Sequence, residues 1–198
     1  MTRVDTSIIL TLRDYCKTVP YEPAERDLST CHGFTLLKGA SLAQIAAVPE
    51  VQDLPCLREA LVTINAVGTP FFTIGCEKAF NRTSESWWAK GYLEFAFNDH
   101  DYAADAQWYF KLFFDFTHYV WKRAFDAPVQ FHWELSGVQF KAGGFTGYSA
   151  TLWIQTADLA SESDVKALWC AALTLLAEYL AQVPAAGRRP IYASTASQ

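Results

Sequence analysis

The chain has 198 residues, 51% apolar and 19% charged, which suits one folded domain with ample core material and excludes global disorder. Its formal net charge of −5 lacks the basic footprint of a non-specific nucleic-acid binder, so no nucleic acid is expected as a partner. The most apolar window, 108–125, is broken by Lys111, Asp115, His118, Lys122 and Arg123, so no membrane partner is expected either.

The N-terminal stretch TRVDTSIIL has neither the basic lead nor the small-residue cleavage site of a secretory signal. Five cysteines, at 16, 31, 56, 76 and 170, form no C-x-x-C pair, so free thiols and a cytoplasmic location are expected. Ile8, Ile9, Leu12, Tyr15 and Cys16 recur at helical spacing and predict a helix over 6–19, stopped by Pro20. Phe34 to Lys38 reads as a short strand. Ser41 caps a predicted helix over 41–48, and Asp53 caps another over 53–67, with Pro55 in its first turn. Residues 1–68 thus read as an N-terminal helical segment, expected across one sheet face or an edge of the main domain.

Residues 69–184 read as strand–strand–helix written twice: strands over 71–78 and 87–98, a helix over 102–125, strands over 129–141 and 148–156, and a helix over 162–183. Residues 185–198 form a tail. The expected fold is α+β: a four-stranded antiparallel sheet with two long helices on one face and the N-terminal helical segment.

Strand side chains alternate, so the sheet has two unlike sides. Leu93, Phe95, Phe97, Phe131, Trp133, Leu135, Leu152 and Ile154 belong under the long helices. The opposite side carries Trp88, Lys90, Tyr92, Glu94, His132, Glu134, Thr151 and Trp153. That set is too polar for a second core and too aromatic for bare solvent, which points to recognition. The bland alternative is that the N-terminal helices cover it.

Candidate chemistry is sparse. Asp99 or Asp101 stands where the 102–125 helix needs an N-cap, and Ser161 with Asp164 repeats the arrangement at 162, so NDHD reads as capping. Asp115 and His118 share a polar stripe on that helix and read as solvated. His132, Glu134 and Glu94 are the best catalytic candidates, a histidine beside carboxylates, walled by Trp88, Tyr92 and Trp153, with Lys90 alongside. KAGGFTG lies between two strands and reads as a hairpin turn, not a phosphate loop. No metal-binding, nucleotide or other cofactor motif is present.

The functional expectation is a non-enzymatic cytosolic binding protein that engages a protein partner through the mixed sheet face. In size, charge and layout it compares with secretion chaperones and toxin-neutralising proteins, with no motif behind the analogy. The alternative is an enzyme or small-molecule binder with His132 and Glu134 in a cleft. The 102–125 helix is apolar around most of its circumference, so a homodimer is a further expectation.

Overall fold

The computed structural model describes residues 6–21, 33–185 and 189–192. Five strands form one sheet in the order β1-β4-β5-β3-β2: β1 Ser7–Val19, β2 Phe71–Arg82, β3 Trp87–Phe97, β4 Val129–Phe140 and β5 Phe145–Thr156. Four of these are the expected antiparallel strands, with β2 paired to β3, β3 to β5 and β5 to β4. The fifth is new: β1 adds to the free edge of β4 in parallel.

β1 replaces the helix expected over 6–19. Over so short a run, Ile8, Leu10 and Leu12 also fit a two-residue period, and the two periodicities compete. Pairing with β4 decides it, because that edge otherwise lacks backbone partners. Ile8 and Leu10 pack against the core, Leu10 opposite Trp133. The register shifts between Leu12 and Cys16, a bulge that carries Arg13, Asp14 and Tyr15.

Helix α1 (Leu42–Ala46) starts in a capping box, with Ser41 and Gln44 serving each other's backbone N–H. Helix α2 (Pro55–Asn65) has Leu54, not Asp53, at its N-cap, and Asp53 takes a left-handed φ of 62°. The segment 34–38 forms no strand. Its Lys38 is buried and donates to the Ala66 and Thr69 carbonyls at 2.7 and 2.6 Å, satisfying acceptors just past α2.

The helix expected over 102–125 is two helices, α3 (His100–Ala104) and α4 (Ala106–Trp121). Asp99 caps α3 by accepting from Asp101 and Tyr102 N–H, and Asp105 ends α3 and caps α4. His100 opens α3 with its ring 4.0 Å from that of Phe145. Ser161 caps the final helix, α5 (Glu162–Gln182). The KAGGFTG turn is a hairpin, with Gly143 and Gly144 both at positive φ.

The core lies between the helices and one side of the sheet. Phe116 of α4 meets Phe131 and Trp133 of β4 at ring-centroid distances of 5.2 and 5.5 Å, and Tyr179 of α5 at 5.2 Å. Trp169 of α5 is buried and donates its indole N–H to the Ile154 carbonyl at 3.2 Å. α2 joins this same layer. Its Cys56 is disulfide-bonded to Cys170 of α5, and Asn65 donates to the Thr73 hydroxyl of β2. The N-terminal helices therefore do not cover the mixed face, and the expectation of five free thiols fails at Cys56 and Cys170. Cys16 and Cys76 are free; Cys31 lies outside the described residues.

Candidate functional site

The mixed face is ordered in rows by strand register. One row runs Thr11, Glu134, Thr151, Glu94 across β1, β4, β5 and β3; the next runs Ile9, His132, Trp153, Tyr92. His132 and Trp133 point to the sides the alternation assigns them: Trp133 is in the core, and the His132 side chain keeps 29% exposure.

The three catalytic candidates share the face but do not converge on a point. His132 Nε2 lies 4.0 Å from Glu134 Oε1 and 2.8 Å from the Thr11 hydroxyl. Glu134 and Glu94 flank Thr151, two strand spacings apart, or roughly 10 Å. Each carboxylate has its own cation from β1: Arg13 ion-pairs with Glu134, and Lys17 with Glu94. Ser149 also donates to Glu94 at 2.7 Å. Burial pushes the Glu134 carboxyl up, but the Arg13 and Trp153 hydrogen bonds and the Arg13 and His132 charges outweigh it and hold the group below the usual range.

Toward one end, this face turns apolar and closes. Phe72 and Phe140 are fully buried there, with Tyr192 against Phe72 at 4.9 Å and Phe34 stacked on Tyr192 at 6.0 Å. Toward the other end lie the expected partner-binding residues. The Tyr92 and Trp153 rings sit 4.7 Å apart, and Lys90 Nζ stands 4.8 Å over the Trp153 ring. Trp88 continues the row of β3 side chains on that side. Tyr92, Trp153 and Trp88 are half-buried, and Lys90 is exposed.

Sequence reasoning missed Thr11, Arg13 and Lys17, since a helical reading of 6–19 removes them from the sheet. The signal was the two-residue spacing of Ile8, Leu10 and Leu12 against Thr11 and Arg13, which Ile9 blurs. Elsewhere, Asp115 pairs with Lys111 at 2.6 Å and His118 Nδ1 donates to the Phe114 carbonyl, and no group of three metal-ligating side chains occurs among the described residues. No helix among the described residues is long and apolar enough to cross a membrane. No protein-family model, curated protein or solved structure matches the chain.

Proposed function

We propose that the chain is a non-enzymatic binding protein that engages a protein partner through the face carrying Trp88, Lys90, Tyr92 and Trp153. The observation that carries this reading is the Lys90–Trp153–Tyr92 stack, half-exposed beside carboxylates that β1 has already neutralised. Rigid rings with a cation resting on them make low-entropy anchors, the kind of residue that dominates interface energetics. Paired carboxylates beside them supply polar contacts without an uncompensated charge to desolvate.

An enzyme with His132 as general base fits less well. The histidine is tied to Thr11, and Glu134 is shared with Arg13. The Cys76 thiol is no substitute nucleophile, because burial pushes it up to about 12. The Cys56–Cys170 bond favours an oxidising compartment over the cytoplasm.

The test is affinity capture from native lysate with wild type and with the Lys90→Glu/Trp88→Ala variant, after matched melting curves establish that the variant folds. A protein held by wild type and lost by the variant is the expected result. Equal capture by both contradicts the assignment. A homodimer is the second reading, favoured by the exposure of Phe114 (58%) and Trp121 (55%) on α4. Sedimentation equilibrium tests it: a dimer dissociated by Phe114→Ser supports it, and a monomeric wild type removes it.

A further inference from the structure

On the opposite side of the molecule, α4 and the last turns of α5 stand apart far enough to leave a groove of about 560 Å³. Its walls include Phe97, Tyr102, Trp108, Leu112, Tyr119 and Tyr179. The volume falls within the range of small-molecule sites, and those rings give it the apolar lining such sites have. From Trp108 to Lys122, the residue that caps the end of α4, the groove follows fourteen helical steps, or roughly 21 Å at 1.5 Å per step, so it is long and narrow.

Its two ends differ. At the Trp108 end, Tyr102 stacks against Trp108 with centroids 4.3 Å apart and meets Phe97 at 5.6 Å, and no charged group is among these rings. Midway, Lys111 and Asp115 cancel in a 2.6 Å pair. At the other end, donors gather. The Tyr119 hydroxyl oxygen accepts from Arg123 and from Gln182, each at 3.2 Å, so its own proton points away from both. His118 donates its Nδ1–H to the Phe114 carbonyl, so in the neutral ring its Nε2 is an acceptor and adds no donor to this end. Glu178 acts on Arg123 and offsets it, while Lys122 has no ion-pair partner among the described residues. The surplus at this end is therefore one positive charge beside a phenolic O–H.

We propose that this groove binds a single-chain amphipathic anion, a free long-chain carboxylate, with its chain along Leu112 and Tyr179 and its head at Lys122 and Tyr119. An apolar chain fills the channel without leaving a polar group unpaired. A carboxylate complements the charged end, where a cation would meet Lys122 head-on.

The test is isothermal titration of the full chain with hexadecanoate below its micelle concentration, beside hexadecyltrimethylammonium and phosphatidylglycerol vesicles. Two variants probe the site. Val183→Trp places a ring in the groove from a half-exposed position, and Lys122→Glu reverses the charge at an exposed one. Matched melting curves establish that both fold. The expected result is saturable one-to-one uptake of hexadecanoate, weakened about tenfold or more by each substitution. The cation should bind wild type more weakly than the carboxylate does, and should gain with Lys122→Glu. Absence of saturable uptake, uptake unchanged in both variants, or equal affinity for the cation overturns the proposal. Binding to vesicles without uptake of free hexadecanoate overturns it too, and reassigns the basic end to a lipid surface.

Discussion

Arg13 reaches from the bulge of β1 to Glu134 on the neighbouring strand and ion-pairs with a carboxylate whose side chain is 10% exposed. The edge strand thus supplies the counter-charge for a nearly buried acid. Removing the cation should harm the fold more than removing the acid. Arg13→Ala leaves Glu134 with only the Trp153 hydrogen bond and His132 beside it, and is expected to lower the urea midpoint. Glu134→Gln keeps the shape, leaves a half-exposed arginine to solvent, and should cost less. A larger loss for Glu134→Gln than for Arg13→Ala contradicts this.

The same pair sets an acid limb. The folded-state pKa of Glu134 lies below its unfolded value, so its contribution to stability is full above that unfolded value and is lost as pH falls through the folded one. Melting temperatures of wild type should fall through that acidic window more steeply than those of Glu134→Gln. Parallel acid limbs would show that the carboxylate is not linked to folding.

How far the sequence could be read follows from these residues. β3, β4 and β5 alternate over the stretches around His132 and Trp153, where one side meets helices and the other does not, so the sequence alone assigns His132 and Trp133 to opposite sides. β1 could not be assigned, since its apolar residues satisfy two periods and its partner strand lies 121 positions away from Thr11. Long-range pairing leaves no local mark. The break at Asp105 was hidden for a related reason: an aspartate inside a helical run can sit in a first turn or cap a new helix, and only packing chooses. Two cysteines 114 residues apart gave no spacing signature, so the disulfide was invisible as well.

That disulfide carries its own prediction. Titration of denatured, unreduced protein with a thiol reagent should leave two of the five cysteines unreacted. Reduction should lower stability by about 2–5 kcal/mol, since the bond closes a loop of more than a hundred residues in the unfolded chain. Five reactive thiols would restore the reading of a fully reduced chain.

Gly91 of β3 and Gly147 of β5 stand where a side chain has no room. A Cβ on Gly91 would lie 2.5 Å from the Glu77 carbonyl oxygen and 2.6 Å from Trp169, and one on Gly147 would lie 2.5 Å from the Ala103 carbonyl oxygen. At Gly91 the backbone of the neighbouring strand β2 and the Trp169 ring of α5 leave no room for a side chain, and at Gly147 the backbone of α3 does the same. Gly91→Ala and Gly147→Ala should each cost about 1–3 kcal/mol by overpacking, read as a drop in the denaturant midpoint at unchanged slope. Neutral substitutions would mean that β2, Trp169 and α3 leave more room at these positions.

Asp99 holds more than a helix start. Besides capping α3, its second oxygen accepts from Arg189 N–H at 3.1 Å and ties the C-terminal segment to the end of β3. Asp99→Ala is expected to cost about 1–2 kcal/mol, at the upper part of the range for a lost cap, while Asp101→Ala should stay within about 0.5 kcal/mol. Thermal unfolding of the two variants separates the roles, and equal losses would contradict this division.

The partner-binding assignment is tested most directly by placing a photo-reactive benzoylphenylalanine at Trp88, on the mixed face, or at Glu59, exposed on α2 in the helical layer, and irradiating each in native lysate. A discrete adduct from position 88 and none from 59 is the predicted outcome. Adducts from 59 alone, or from neither position, would place the partner elsewhere or remove it.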